Sequence, residues 1–448
     1  MAVLLAGLSG CYLIPPYQRP SAPAPEHWRG GTAATPGNDA GVATDWWQHY
    51  GSNELNQSVQ EALAQNKDLQ AALHRIEQAR ASAKIAGAGL LPTVDASVNA
   101  SRTYSDSGNH TPTQSDSYQG LLSVAYEVDL WRRNRSAVEA AEARTTSSTY
   151  DRDALALVVM TDTAQAYFQV LNLRERGKIA RDNIATERDV LNIVETQYRE
   201  GRASALEVAQ QKTAVANVEA ALTALERQEQ VTEDGLAVLR GRAPADLSVT
   251  TDTLQDIALP AIAAGQPSTL LERRPDIRRA EQDLIAAHAD IAVARAALFP
   301  TLNLGLDPTL FASPGTAAVA LASSLTAPIF EGGRLRGEVE RTEAREAELV
   351  ETYRQIILTS FQEVEDALAA IKSAQQRVQS LTVAAEAARD AYQISRDRYL
   401  AGAIDFLTLL NTQTTQLQAE DALAQARLDQ FAASVDLYKA LGGGWQEH

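Results

Sequence analysis

The sequence predicts a mainly α-helical chain with two pairs of membrane-type β-strands, built as an internal tandem repeat. Three observations lead to this prediction. Long stretches lack proline and carry apolar residues at spacings of three and four, as amphipathic helices do. Four shorter segments alternate between apolar and polar residues, as half-buried strands do. The same order of segments also occurs twice, and a long internal repeat determines how every single motif is interpreted.

The clearest transition from helix to strand lies at residues 273–305. Pro275 and Asp276 are typical of a helix start, because proline fits the first helical position and an acidic residue suits the helix N-terminus. The helix must end before Pro300, since the residue that precedes a proline is pushed out of the α region. Leucines then alternate with other residues, which predicts a strand: Leu302, Leu304 and Leu306.

The same features occur earlier in the chain and establish the repeat. Leu91-Pro92-Thr93 matches Phe299-Pro300-Thr301, each between a helical pattern and an alternating one. A tyrosine followed three residues later by glycine also occurs twice, at Tyr198 with Gly201 and at Tyr399 with Gly402. Each copy therefore has the order helix, strand, strand, long helix, turn, long helix.

This order divides the chain into segments. We predict a partial signal sequence at 1–10, an extended proline-rich arm at 11–52, a first repeat at 53–240, a linker at 241–267, a second repeat at 268–441 and a tail at 442–448. The strands are predicted at 93–104, 118–130, 301–311 and 317–330, and the long helices at 131–200, 202–240, 331–400 and 404–441. The first helix is predicted to run from Asn53 to about Gly89. From Ile356 to Tyr399 the apolar stripe has heptad spacing, which predicts packing against a neighbouring helix.

The strands have the length and pattern of membrane-spanning strands. No stretch after residue 11 has the ~20 consecutive apolar residues of a membrane helix, whereas about ten residues per tilted strand suffice to cross a bilayer. An ordinary soluble hairpin has the same alternation. Four strands, however, leave open edges, which lipid does not tolerate. Closure by several copies of the chain is the natural solution.

Composition excludes several function classes. The net charge of −17 argues against nucleic acid and weakly favours a channel that tolerates cations. No HExxH motif, nucleophile elbow or P-loop occurs, and the six histidines lack metal-ligand spacing. We therefore predict that the chain is not an enzyme and has no metal or dissociable cofactor. A covalent lipid is expected, because Leu8-Ser9-Gly10-Cys11 is similar to a bacterial lipobox, with the only cysteine at its end.

These residues also carry a resemblance to a known family. The double repeat, the two YxxG turns, the N-terminal CxxxPPYxRP pattern and RRPDIRxAEQxLIAAxADIxxARAAxFP resemble the TolC/OprM/NodT family of outer-membrane efflux channels, in its OprM-like branch. The resemblance covers Cys11 to about Leu441. It implies a homotrimer in which a 12-stranded β-barrel is continuous with a 12-helix periplasmic α-barrel.

The resemblance also implies a function and partners. The chain would be a lipid-anchored exit duct in the Gram-negative outer membrane, extending into the periplasm and passing drugs or other small solutes. Its partners would be a periplasmic adaptor protein, an inner-membrane pump of the RND type and outer-membrane lipid. Two alternatives stay open: a secretion duct for polypeptides, and a coiled-coil structural scaffold with no membrane-spanning strands.

The two YxxG turns are the candidate functional site. Local chemistry predicts two helical-hairpin turns, because glycine can take the left-handed conformation that ends a helix, and Ser204 and Asp405 can cap the next one. The resemblance implies that these turns are the periplasmic tips where the adaptor docks, formed by Tyr198, Gly201, Ser204, Tyr399 and Gly402.

The same resemblance places a gate at the second turn. Phe406 and Leu407 would form an apolar constriction, with Asp405 and Glu207 as candidate carboxylates. At Asn411 relatives often carry Asp, and Thr408 also departs from the family pattern. The alternative is that Phe406 and Leu407 pack sideways between helices.

Overall fold

The structure, a computed structural model, describes residues 13–22, 24–29, 43–105, 113–246, 249–312 and 318–444. The predicted signal segment and Cys11 lie outside these ranges, as do the tip of the first hairpin loop, the Ser-Pro-Gly loop of the second hairpin and the last residues of the tail.

The first repeat contains helices α1 (Asn53–Gln65) and α2 (Lys67–Ala88), strands β1 (Thr93–Ser105) and β2 (Thr113–Val128), and helices α3 (Arg133–Arg199) and α4 (Ala205–Leu239). The second repeat contains helices α5 (Leu270–Arg273) and α6 (Pro275–Ala296), strands β3 (Thr301–Ala312) and β4 (Val319–Thr326), and helices α7 (Arg334–Leu400) and α8 (Phe406–Ala440). Short 3-10 turns lie at Trp46–Tyr50, Pro244–Asp246, Leu254–Asp256 and Pro267–Thr269.

Helix lengths confirm the tandem repeat. Helices α3 and α7 are both 67 residues long, and α4 and α8 are both 35 residues long. Helices α2 and α6 likewise share a length of 22 residues. At ~1.5 Å per residue, a 67-residue helix is about 100 Å long.

The predicted first helix is in fact two helices that meet at Asn66. Asn66 has ψ of 130°, outside the helical range, and its side-chain Oδ1 accepts hydrogen bonds from the Asp68 and Leu69 N–H groups at 3.0 and 3.2 Å. The Asn66 Nδ2 donates to the Leu239 carbonyl at 3.0 Å. The side chain thus caps α2 and fixes the break, so the prediction of one continuous helix was wrong.

Four antiparallel strands form one sheet in the order β1-β2-β3-β4. The central pairing, β2 with β3, joins the two repeats. Val124 lies opposite Val94 on one side and Leu306 on the other, and Tyr126 lies opposite Leu304. Because side chains alternate along a strand, this register places most of the large apolar residues of the four strands on one face and most of the polar residues on the other. In the described part of the chain, the outer edges of β1 and β4 pair with no further strand.

Several strand ends differ from the sequence prediction, two of them for local reasons. Strand β4 ends at Thr326 and not at 330, because Pro328 has no N–H to donate to the ladder. Strand β2 ends at Val128, since the Asp129 carboxylate caps α3 instead, accepting from the Asn134 and Arg135 N–H groups at 3.0 and 2.9 Å. At its other end β2 begins at Thr113, five residues before the predicted start.

The chain divides into two compact units. We call residues 1–22, 73–151 and 276–356 the strand unit, and residues 23–72, 152–275 and 357–448 the helical unit. In the strand unit, the arm residues 13–22 are held by side chains of α6. Arg19 forms a bidentate ion pair with Glu281 at 2.5 and 2.6 Å, and the His288 Nε2 is hydrogen-bonded to the Pro15 carbonyl at 2.9 Å.

The helical unit has an aromatic core. Trp46 stacks on Tyr438 with ring centroids 4.8 Å apart, and Tyr50 packs against Phe168 and Phe431. Trp28 donates to the Gly265 carbonyl at 3.0 Å and packs edge-on against Phe361. The tryptophans of the arm are therefore anchored in this unit. One apolar stretch of α3 has the length and composition to cross a membrane, but most of it is buried within the chain, as in a core helix.

The heptad stripe on α7 is buried as predicted. Within the helical unit, Ser360, Val364, Ala374, Ala385 and Tyr392 are all buried. Small side chains at several of these positions allow neighbouring helices to approach closely. The stripe thus packs inside the chain, while other α7 side chains, including Val383 and Ile394, stay exposed.

Candidate functional site: the two helical turns

The first turn connects α3 with α4 and has the predicted caps. Gly201 takes φ of +74°, a conformation that non-glycine residues rarely adopt. The Arg202 N–H donates to the Gln197 carbonyl at 2.8 Å, which closes the end of α3. Ser204 and Glu207 form a capping box, in which the Ser204 Oγ accepts from the Glu207 N–H and the Glu207 carboxylate accepts from the Ser204 N–H at 2.5 Å.

The second turn, between α7 and α8, has nearly the same backbone. Gly402 has φ of +73°, and its N–H donates to the Tyr399 carbonyl at 2.9 Å. Asp405 is the N-cap of α8 and accepts from the Thr408 N–H at 2.8 Å. Hydrogen bonds from the Thr408 side chain and backbone hold the pKa of the Asp405 carboxyl below its ordinary value. Asp405 is exposed, so it presents a negative charge at this turn.

The two turns are joined by a hydrogen bond and an apolar cluster. The Tyr399 hydroxyl donates to the Gln197 side-chain oxygen at 2.9 Å. A group of buried apolar residues from α3, α7 and α8 packs beneath the turns: Val190, Val194, Tyr392, Tyr399, Phe406 and Leu409. This packing gives the pair of turns a defined geometry.

The matching tyrosines of the two repeats have different environments. Tyr399 is 8% exposed and contacts Phe406 edge-on, with ring centroids 6.0 Å apart, whereas Tyr198 is 49% exposed. Leu206 and Leu400 are also exposed near the turns. Tyr198 and these leucines give the turns an apolar surface that the described chain does not cover.

The two predicted gate residues Phe406 and Leu407 differ in burial. Phe406 is 3% exposed and belongs to the buried cluster, so its side chain is not presented to solvent. Its ring packs against Tyr399 of α7. Leu407, the next residue along the helix, is 54% exposed. Of the apolar pair, only Leu407 is presented to solvent.

The polar candidates also have distinct positions. The Glu207 carboxylate is engaged in the capping box of α4, whereas Asp405 caps α8 and stays exposed. Asn411 is exposed on α8, more than a helical turn beyond Leu407. Within the described ranges, no group of histidine, cysteine and acidic side chains is arranged to hold a metal ion.

Sequence reasoning missed a buried polar group above the turns. Glu187 is buried, and its carboxylate accepts from the Gln211 Nε2 at 2.5 Å. Nearby on the second hairpin, the Tyr392 hydroxyl and both side-chain polar atoms of Gln413 are buried without a hydrogen-bond partner. The sequence signal for this group was Gln211, a glutamine at a position of the α4 pattern that otherwise holds apolar residues.

Burial raises the pKa of Glu187 from 4.5 to about 7, although the Gln211 hydrogen bond partly opposes this. Because the folded chain holds this proton between pH 4.5 and 7, the contribution of Glu187 to stability is present at low pH and is lost as the pH rises through that window. At pH values above 7, Glu187→Gln should therefore increase the free energy of unfolding by roughly 1–3 kcal/mol, since one pKa unit corresponds to about 1.4 kcal/mol. The melting temperature of the variant should rise accordingly.

Thermal melting of the detergent-solubilised protein at pH 5 and pH 8 measures this effect as the difference in melting temperature between variant and wild type. The matched control is Glu226→Gln, at an exposed position on α4, which should change neither melting temperature. A Glu187→Gln variant that melts below wild type at pH 8 would contradict the prediction.

The comparison with protein families matches both repeats. The family described as "Outer membrane efflux protein" matches residues 58–242 and 266–443. This match covers most of the chain and leaves residues 243–265 between the two parts.

Individual relatives agree with the family match. The chain is 42% identical to the pyoverdine export outer membrane protein OpmQ of Pseudomonas aeruginosa, over 99% of this chain and 97% of that protein. It is 34% identical to the antibiotic efflux pump outer membrane protein ArpC of Pseudomonas putida, over 100% of this chain and 95% of that protein. The solved outer-membrane channel OprN matches with a TM-score of 0.90 at 30% identity, over 98% of this chain and 100% of that one.

These matches agree with the repeat, the sheet and the two helical turns. They also confirm that the chain belongs to a channel family and is not an enzyme. The chain belongs to the outer membrane efflux protein family, in its OprM-like branch with the TolC-like fold, and is the outer-membrane component of an efflux pump in a Gram-negative bacterium.

Proposed function

We propose that three copies of the chain assemble into a duct, a 12-stranded β-barrel continuous with a 12-helix periplasmic tunnel. The observation that carries this proposal is the four-stranded sheet with one apolar face and two unpaired outer edges. In lipid each edge must be paired, and the edges β1 and β4 of neighbouring copies are complementary ends of one antiparallel sheet. Three sheets of four strands close a barrel of a size that encloses a water-filled lumen.

The duct works with two partners, a periplasmic adaptor and an inner-membrane pump of the RND type. The pump supplies the energy, and the channel conducts passively. The adaptor is proposed to dock on the two helical turns, where Tyr198, Leu206 and Leu400 form an exposed apolar surface around Gly201 and Gly402. Docking by the adaptor would cover this surface.

The transported molecules are proposed to be small organic solutes. The names of similar proteins describe export of pyoverdine, of antibiotics and of toluene, all small molecules. A duct for secreted polypeptides remains the second candidate of the same class.

Susceptibility of a deletion strain tests the proposed function. Loss of this chain should lower the minimal inhibitory concentration of several antibiotics or dyes, and expression of the intact chain should restore it. The deletion strain that carries an empty vector serves as the negative control. Unchanged susceptibility to a broad panel, together with lost secretion of a polypeptide, would favour the alternative.

A lipid anchor at Cys11 is part of the proposal, although Cys11 lies outside the described residues. Cys11→Ser in a full-length precursor should remove the acyl chains but leave the assembly in the membrane, because the barrel itself is embedded there. Mass spectrometry of the mature N-terminus and membrane fractionation measure the two effects. An unmodified Cys11 in correctly exported wild-type protein would end this part of the proposal.

We also propose that Leu407 narrows the periplasmic end of the duct. Three copies of an exposed leucine around a threefold axis form an apolar ring, and such constrictions can close by loss of water. Asp405, exposed two residues away, adds a ring of carboxylates that attracts cations. Phe406 supports the ring from the buried cluster and does not line it.

Leu407→Ala should therefore raise single-channel conductance in a planar bilayer and leave the melting temperature nearly unchanged. Leu206→Ala is the matched control, since Leu206 holds the equivalent position of the first repeat and is similarly exposed. Phe406→Ala should instead lower stability, by about 2–5 kcal/mol, because it empties part of a packed cluster. Equal conductance of the Leu407→Ala channel and wild type would remove Leu407 from the gate.

A further inference from the structure

The two outer edges of the sheet carry large apolar side chains that the described chain leaves exposed. Val94 and Val98 lie on β1, Leu325 lies on β4, and all three are exposed. Ile329, just beyond the end of β4, is 92% exposed. Both edges belong to the strand unit. The tandem repeat indicates which residues of the two edges fit together.

The two hairpins of the repeat have equivalent registers. Thr93 is the first residue of β1 and lies opposite Ala125 of β2. Thr301 is the first residue of β3 and lies opposite Thr326 of β4. The first residues of α3 and α7 follow these two β2 and β4 positions at the same distance along the chain. Near the base of the sheet, residues of β2 therefore have counterparts in β4, and residues of β3 have counterparts in β1.

The pairing of β2 with β3 shows how one repeat joins the next. Val128 of β2 lies opposite Leu302 of β3. In the second repeat the counterpart of Val128 is Ile329, and in the first repeat the counterpart of Leu302 is Val94. A further copy that continues the repeat around the barrel therefore places Ile329 opposite Val94 of the partner subunit. The same transfer gives three more pairs, each with the β4 residue first: Ala327 with Ala96, Thr326 with Ser97, and Leu325 with Val98.

The direction of the backbone groups agrees with this register. The Thr309 N–H donates to the Ala318 carbonyl at 2.7 Å, and these two residues continue the register of β3 with β4. Along an antiparallel strand, residues that direct their N–H and carbonyl to one neighbour alternate with residues that direct them to the other. In an extended β4, Pro328 falls in step with Ala318 and faces β3, whereas Ile329 faces the open edge. The missing N–H of Pro328 therefore removes no hydrogen bond from that edge.

We propose that β4 of one copy and β1 of the next pair in this single register, and that β4 extends to Ile329 on assembly. The inference rests on the proposed function, because it takes closure by three copies as given. The apolar rows of the two copies would then continue across the seam, with Leu325 opposite Val98 of the partner subunit. A slip by one residue would turn the apolar side chains of one copy to the other face, so burial in lipid selects this register.

Disulfide crosslinking of the full-length chain tests the register. Thr326→Cys with Ser97→Cys is made in a Cys11→Ser background, which has no other cysteine. The two positions form a non-hydrogen-bonded pair of the seam, with Cα atoms about 4.5 Å apart, a distance that a disulfide can bridge. Within one chain β2 and β3 separate them by about 14 Å, so the second thiol must come from the partner subunit. Oxidation with copper phenanthroline should give covalent trimers on a denaturing gel, and a reductant should return them to monomers.

Thr326→Cys with Ser101→Cys is the matched control. Ser101 lies on the same face of β1 as Ser97, about 13 Å further along the strand. All three positions are exposed, so the variants should assemble as wild type does. The control pair should stay uncrosslinked, and so should each single cysteine variant.

A second cysteine pair tests the extension of β4. Pro328 and Asp95 are the counterparts of Glu127 and Asn303, which lie opposite each other in β2 and β3. Pro328→Cys with Asp95→Cys should therefore form covalent trimers as well. This crosslink requires that the chain continue as a strand beyond Thr326, where β4 ends within one copy.

Light scattering of the same samples separates the seam from the proposed function. A trimeric mass without a crosslink in the Ser97→Cys pair, or with one in the Ser101→Cys control, would overturn the register and leave the trimeric duct standing. A trimeric mass with a crosslink in the Ser97→Cys pair but none in the Asp95→Cys pair would overturn the extension of β4. A monomeric mass would contradict the proposed function, and the seam with it.

Discussion

Val124→Lys should prevent most of the chain from accumulating as a stable membrane-embedded assembly, whereas Ser97→Lys should leave it nearly intact. Val124 lies in the middle of the sheet, opposite Val94 and Leu306, on the apolar face. A lysine that points into lipid from a barrel costs about 2–4 kcal/mol near the bilayer midplane. Because the barrel contains each residue three times, the effect on the assembly is correspondingly larger.

The two substitutions place a lysine on opposite faces of the sheet. Ser97 alternates with Val98 along β1 and therefore lies on the polar face, where a lysine can stay in water. Resistance of the membrane-inserted protein to urea extraction and its melting temperature measure the difference. Equal loss in both variants would show that the apolar face does not contact lipid. Equal tolerance of both variants would favour the scaffold alternative.

Gly402→Pro should abolish efflux while the assembly survives. Proline is fixed near φ of −65°, whereas Gly402 has φ of +73°, and its N–H, which donates to the Tyr399 carbonyl, would be lost. The turn must then rearrange, and with it the surface proposed for the adaptor. Gly201→Pro, at φ of +74° in the first repeat, should act in the same way.

Graded substitutions separate this effect from general unfolding. Gly402→Ala keeps the N–H and adds only the cost of a side chain at positive φ, about 1–2 kcal/mol, so efflux should fall only in part. An adaptor pull-down and drug susceptibility, measured beside the oligomeric state in detergent, give the required readouts. Adaptor binding and efflux at wild-type levels in both proline variants would contradict docking at the turns.

Residues with strong backbone preferences made the fold predictable from sequence. Pro275 begins α6, Pro300 separates α6 from β3, and Gly201 and Gly402 take the left-handed conformation expected of them. Each residue restricts its own backbone, whatever surrounds it. The break at Asn66 was not predictable in this way, because asparagine occurs inside helices as well as at helix caps, and its identity alone does not distinguish the two.

The site was less predictable than the fold. A helical pattern shows which residues share a face, but two neighbouring apolar residues, such as Phe406 and Leu407, look equivalent until their packing partners are known. The repeat likewise suggested equivalent roles for Tyr198 and Tyr399, although only Tyr399 is buried.

The mass of the detergent-solubilised protein tests the central claim, closure of the barrel by three copies, most directly. Light scattering with the detergent contribution subtracted should give a protein mass of about three times 48.3 kDa. A monomeric mass for protein that is otherwise folded and extracted from the outer membrane would contradict the account, because four strands with two open edges cannot span a bilayer alone.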